Sequence, residues 1–204
     1  MFKDAHAHVI KCDTCQRSIE RQAKAAGPLK PMIISEPFKK WGIDIIGEIN
    51  PNYSLHHKYI LTATSYFTRW VESILLRKVN EDAVMDFLQD HIMTRFGVPI
   101  SLVFYNASYF SSIKFTEFAN EKGIDLNYYA NYYPQGNGLV ESTNKNLIRI
   151  LKKMVIENQR SWHLALPNVL WDDRVTPKNS LGVSPYTLIY GKEASPRLVG
   201  GASR

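Results

Sequence analysis

The sequence predicts an α/β protein with a mixed five-stranded sheet and helices on both faces. Three observations carry this. Three strand-like runs come first, rich in β-branched and aromatic residues. Strands then alternate with helices, giving the order β-β-β-α-β-α-β-α with more helix after it. A chain of 204 residues, 45 % of them hydrophobic, can bury a real core.

Each element has its own signal. "KKWGIDIIGEI" reads as the first strand. "KYILTATSYFTRWVESILL" reads as two more, joined by a tight turn around Phe67–Arg69. In "VNEDAVMDFLQDHIMTRFG", Asn80 can cap a helix, Glu81 and Asp82 suit its first turn, and Gly97 can end it. Val84, Phe87, Leu88, His91 and Ile92 form one apolar stripe on that helix. Residues 100–105 return to strand. Residues 111–122 form a helix with Phe115, Phe118 and Ala119 inward. Ile124–Tyr129 is a fifth strand, with Tyr128 or Tyr129 in the core. "NYYPQGNG" is a turn-forming loop. A long helix runs from about Leu139 to Glu157, and Trp162 and Trp171 pack later helices together. Upstream, residues 1–16 read as a short helix ending in a cysteine pair. Residues 17–35 are basic, proline-containing and linker-like. The compact domain spans 36–194, with a tail at 195–204.

The net charge of +6 is unevenly spread. Residues 1–31 carry six basic and three acidic side chains, residues 32–141 nine and twelve, and residues 142–204 ten and four. A basic tail beside an acidic centre suits a protein that grips phosphate backbones near a metal-holding site, and equally a solvated basic surface. Cys12 and Cys15 in "CDTC" have metal-ligand spacing, but a structural zinc site needs four ligands and this pair supplies two. Zinc is therefore not expected there, and a reduced thiol pair fits an intracellular setting. No run of 18 apolar residues occurs, and the charged start "MFKDAHAHVIKC" does not suit a signal peptide. The expected location is nuclear or cytoplasmic, without membrane or export.

Two carboxylates stand out. Asp44 interrupts the apolar strand "GIDIIG", where burial is costly unless the group is paired or holds a metal. Glu141 falls in the first turn of the expected long helix, where the helix dipole would favour it. Lys145, Arg149, Lys152 and Lys153 continue along that helix as a basic stripe. A carboxylate followed by cations suits DNA, with a metal at one end and phosphates along the rest. The same spacing also suits a solvated face with a Glu141–Lys145 ion pair.

Seven strings then share one resemblance: "WGIDIIG", "YFTRWVE", "RFGVP", "NASYFSS", "NYYPQGNGLVESTNK", "ENQRSWH" and "SPYTLIYGKEA". Together they resemble the integrase of gypsy-type long-terminal-repeat retrotransposons, especially those of plants, over nearly the whole chain. The resemblance implies a ribonuclease-H-like fold, action on DNA, multimeric assembly, and Mg²⁺ or Mn²⁺ held by two aspartates and a glutamate. Asp44 and Glu141 match the first and third of these. The family separates its second aspartate from its glutamate by 35 residues, and 35 residues lie between Tyr105 and Glu141. The family would read "FDNAS" where this chain reads "FYNAS", so Tyr105 occupies the second aspartate's position.

The resemblance further implies DNA contacts by Asn106, by Gln135 and Asn137 in the loop, and by Lys145, Arg149 and Lys152. It makes Cys12 and Cys15 the remnant of a zinc module whose histidines would lie upstream of Met1. It also leaves no room after "GKEA" for the family's small C-terminal domain. Tyrosine is neutral at pH 7, with a reference pKa of about 10, and offers one oxygen in place of two. The expectation is an integrase fold with little or no strand-transfer activity. Two alternatives remain open: a DNA- or protein-binding module without activity, and a different nuclease on the same fold.

Overall fold

The computed structural model describes residues 36–49, 56–105, 110–129, 134–154 and 162–195. All belong to the second of two units into which the chain divides, Ile33–Arg204. The expected zinc-module remnant, Cys12 and Cys15 included, lies outside the described residues, as do the whole expected linker and the expected tail beyond Ser195.

Five strands form one sheet: β1 (Lys40–Ile46), β2 (Tyr59–Ser65), β3 (Val71–Leu76), β4 (Ser101–Tyr105) and β5 (Asp125–Tyr129). Their spatial order is β3-β2-β1-β4-β5. β1 pairs antiparallel with β2, which pairs antiparallel with β3. β4 runs parallel to β1 and to β5. The hairpins thus precede the crossovers, as the chain order predicts. Asp44 pairs with Thr62 across β1 and β2, and Ile43 pairs with Phe104 across β1 and β4.

The helices are α1 (Glu81–Phe87), a π-helical turn (Leu88–Met93), α2 (Thr94–Phe96), α3 (Ile113–Lys122), α4 (Pro134–Met154), α5 (Trp162–Val175) and α6 (Pro185–Tyr190). The expected Asn80 cap is made, and Ser112 caps α3 in the same way. Asn80 accepts from the Ala83 amide at 2.9 Å, and Ser112 accepts from the Phe115 amide at 3.1 Å. Gly97, at φ 82°, takes a backbone conformation that costs other residues and ends the helical run. The π-helical turn in the expected single helix has no signal in the sequence.

Strand alternation divides the core between two faces. Trp41, Ile43, Leu61 and Ala63 pack with Val84, Phe87, Leu88, Phe104 and Phe115. Ile46, Ile60 and Val71 face the other way and meet Leu147, Leu151, Trp162 and Leu166. Full burial of a side chain such as Phe104 contributes roughly 1.5–3 kcal/mol. Trp171 sits edge-on to Tyr186, so both tryptophans pack α5 as expected. Tyr128 stacks on Phe104 but stays 37 % exposed, its hydroxyl donating to the Phe110 carbonyl.

A buried charge cluster fastens the sheet's β3 edge. Glu72, 3 % exposed, accepts from Trp70 Nε1 at 2.7 Å and pairs with Arg95 at 2.8 Å and Arg174 at 2.9 Å. Arg174 also donates to the Val71 carbonyl, and its guanidinium lies 4.4 Å from the Trp70 ring centroid. The cluster joins α2 and α5 to β3.

The long helix also differs from expectation. The long helix begins at Pro134, so "PQGNG" forms its first turns rather than a loop. Proline is pre-organised for the first helical position and needs no amide partner there. Gln135 and Asn137 are therefore helical in backbone. Glu141 sits about two turns in, so helix-dipole stabilisation of Glu141 does not apply.

Candidate functional site

The site is assembled where α4 crosses the middle of β1. Gly42 makes the crossing possible. A β-carbon there would lie 2.3 Å from Val140 Cγ2, far inside contact distance. Val140 is fully buried against Tyr66 and Val103. Two residues on, Asp44 points to the same face as Gly42. Val140 and Asn144, one turn apart on α4, are both buried against the sheet. The close approach at Gly42 therefore delivers Asn144 to Asp44.

Asp44 is held from two sides. Its Oδ1 accepts from the Ile45 amide at 2.8 Å, and its Oδ2 accepts from Asn144 Nδ2 at 2.6 Å. Asn144 Oδ1 lies 3.1 Å from Thr62 Oγ1, which is also 3.2 Å from the Asp44 carbonyl oxygen. The Thr62 hydroxyl has one proton to give to either. Burial pushes the Asp44 carboxyl above its ordinary value, the Ile45 and Asn144 donors pull it back, and the negative charge of Glu141 raises it again. Glu141 is thus close enough to be felt electrostatically. No cation pairs with Asp44 among the described residues.

Glu141 is exposed on α4 and accepts from Lys145 Nζ at 2.7 Å. This is the helix-face ion pair that the spacing allowed. Lys145, Arg149, Lys152 and Lys153 are all exposed, while Val140, Asn144, Leu147 and Leu151 are buried on the opposite side of the helix. Arg149 also donates to Asn146 Oδ1 at 2.7 Å.

Tyr105 is the last residue of β4. The parallel register pairs Ile43 with Phe104, which sets Tyr105 at the next position along the strand pair, level with Asp44. Asn106 lies outside the described residues, and Gln135 and Asn137 are placed only as helical backbone. The structure therefore brings Asp44, Glu141 and the Tyr105 backbone to one end of the β1–β4 pair. Among the described residues no group of three or more His, Cys, Asp or Glu side chains converges as a metal cage. The donor set is two carboxylates, one half-buried with no cation paired to it among the described residues, one exposed and paired with Lys145. That set fits a single hard divalent cation, since Mg²⁺ commonly takes one or two protein carboxylates and keeps several waters.

Sequence reasoning missed Gly42, Thr62 and Asn144. Gly42 stands two residues before Asp44 in the string "WGIDIIG" and Asn144 three residues after Glu141. Their spacing carries a signal only once α4 is known to cross β1.

Comparison with known proteins follows this geometry. No family model matches the chain. It is 31 % identical over 189 residues to the Pol polyprotein of Radiation murine leukemia virus (strain Kaplan), which covers 92 % of this chain. The chain spans 32 % of that relative's length. Among solved structures, it resembles the simian T-cell lymphotropic virus intasome in complex with PP2A regulatory subunit B56 gamma. That match has a TM-score of 0.68 at 20 % identity, over 97 % of this chain and 68 % of the other. The HTLV-2 integrase catalytic core domain in complex with magnesium matches with a TM-score of 0.58 at 20 % identity, over 74 % and 95 %. The BIV integrase catalytic core domain matches with a TM-score of 0.59 at 18 % identity, over 76 % and 95 %. No described helix is long and apolar enough to cross a membrane. The chain is a relative of a retroviral Pol polyprotein, and its described residues have the ribonuclease-H-like fold of the retroviral integrase catalytic core.

Proposed function

We propose that this chain is an integrase-type DNA-binding domain of the gypsy-type retrotransposon lineage whose strand-transfer chemistry is impaired by tyrosine at position 105. The observation that carries this is the register of β4 against β1. It sets Tyr105 level with Asp44, where the resemblance calls for a third carboxylate. Asp44 and Glu141 would hold a divalent cation, which would supply charge neutralisation at a phosphodiester. Asn144 and the Ile45 amide fix the Asp44 carboxylate, and the close packing at Gly42 fixes α4. The basic face of α4 would hold the adjacent phosphates, with Asn106, Gln135 and Asn137 as further contacts.

A phenol replaces neither the charge nor the second oxygen of an aspartate. Loss of one member of a catalytic unit commonly costs on the order of 10⁴-fold in rate. The test compares the native chain with Tyr105→Asp in a strand-transfer assay on short duplex ends with Mn²⁺. The native protein is expected to give no product and Tyr105→Asp to gain it. Clear product from the native protein overturns the impairment.

A second reading is a DNA-binding module without enzymatic work, and the exposed stripe Lys145, Arg149, Lys152 and Lys153 favours it. It predicts sequence-indifferent binding that weakens steeply with salt. A binding titration with no salt slope would remove it. The reading also takes residues 1–16 as part of a zinc module and 17–35 as a linker to the core.

A further inference from the structure

A cavity of about 420 Å³ opens on the flank of α4, between that helix, the C-terminal end of α5 and the turn after it, and the β2–β3 turn. It is separate from the Asp44 site and shares none of its ligands. Three cationic side chains line it, Arg69, Arg149 and Lys178, against one carboxylate, Asp173. Ser142 and Thr176 add hydroxyls.

The charges are unequally satisfied. Asp173 is fully buried, and its Oδ1 accepts from Lys178 Nζ at 2.6 Å and from Asn146 Nδ2 at 2.8 Å. Lys178 neutralises Asp173, the one acid among the described lining residues, whose Oδ2 takes no hydrogen bond there. Arg69 is different. It sits in the β2–β3 turn at φ 59°, where a side chain rarely sits without cause, its amide donating to the Ser65 carbonyl at 3.0 Å. Its guanidinium is partly buried, its Nε is shielded from solvent, and that Nε has no hydrogen-bond partner. Burial lowers its proton affinity, and no carboxylate among the described residues pairs with it. A half-buried guanidinium with no carboxylate paired to it is a costly arrangement. Arg149, from the facing helix, is exposed at the same cavity and adds a second cation.

We propose that this cavity is a phosphate-binding site in which Arg69 and Arg149 grip the phosphate of a nucleic-acid backbone or of a free phosphate monoester. A guanidinium presents paired donors that match two phosphate oxygens, and two such groups leave a net positive wall once Lys178 and Asp173 cancel. The Ser142 and Thr176 hydroxyls already donate to the Leu139 and Asp172 carbonyls, so the two guanidiniums carry the recognition. The volume suits a nucleotide-sized group. The proposal needs no metal; it shares Arg149 with the basic face of α4 that the proposed DNA-binding reading uses, and Arg69 is what distinguishes the cavity from that face.

The test is thermal unfolding of the full chain in rising inorganic phosphate, in adenosine monophosphate and in sodium chloride of matched ionic strength. Phosphate and the monoester are expected to raise Tm saturably beyond chloride. Arg69→Gln and Arg149→Gln are each expected to weaken that apparent affinity at least tenfold. Arg149→Gln alters an exposed helix position, so it reports even where Arg69→Gln folds poorly. A competition with a short DNA duplex separates the two sources. If saturating phosphate displaces DNA beyond the chloride effect, the backbone is the ligand. If monoester binds and DNA is unmoved, a free phosphate ester is. Either result supports the site. A phosphate response no larger than chloride, or one unchanged in both variants, overturns it.

Discussion

Glu72 and Asp44 are carboxylates on the same sheet, two strands apart, and the protein treats them in opposite ways. Glu72 is buried and receives the Trp70 indole donor and two arginines. Asp44 is half-buried and receives only neutral donors, from Ile45 and Asn144, with the negative Glu141 nearby. Internal cations neutralise the first group. The second is positioned by neutral donors and has no cation paired with it among the described residues, as the proposed metal-holding role requires. A buried carboxylate in a strand is therefore not in itself a functional signal. The chemistry of its partners separates a structural carboxylate from a functional one.

The largest expected effect comes from breaking the compensated side. Glu72→Gln leaves Arg174 buried without its anion, and such a loss costs about 3–5 kcal/mol. Urea denaturation should show this as a lower midpoint with an unchanged slope. Asp44→Asn should cost far less at neutral pH, because no buried cation is stranded. Equal losses in the two variants would erase the contrast.

The crossing of α4 over β1 gives the next effect. Gly42→Ala drives a β-carbon into Val140 and should destabilise by about 1–3 kcal/mol. Adding Val140→Ala should recover most of that. The single variant should also weaken divalent-cation binding, because α4 carries both Asn144 and Glu141. Full stability in Gly42→Ala would show that the contact relaxes freely.

The smallest effect is a titration. Asp44 has a raised folded value, so the folded protein holds this proton more tightly than the unfolded chain does. The penalty for the charged form is absent well below 3.8 and grows as pH rises through the raised value. The stability of Asp44→Asn relative to the native chain should therefore improve with pH across that window. Glu141→Gln should lower the Asp44 midpoint seen by carboxyl NMR. A midpoint at or below 3.8 in the native chain would contradict the geometry.

Much of this was legible in the sequence because its causes are local. Runs of β-branched or aromatic residues mark the strands, Asn80 caps α1 as expected, and Gly97 ends its helical run. Asp44 and Glu141 were visible as carboxylates in unusual company. The rest depends on contacts distant in sequence. Arg174 reaches Val71 across 103 positions, and Asn144 reaches Asp44 across 100. The start of α4 was misread because glycines in "PQGNG" favour turns locally, while the packing of Val140 on Gly42 commits the segment to helix.

The central claim is tested most directly by isothermal titration of Mn²⁺ into the native chain and into Tyr105→Asp. The account predicts no more than one weak site in the native protein, abolished by Asp44→Asn, and a second or markedly tighter site in Tyr105→Asp. Two tight, stoichiometric cations in the native chain would contradict it.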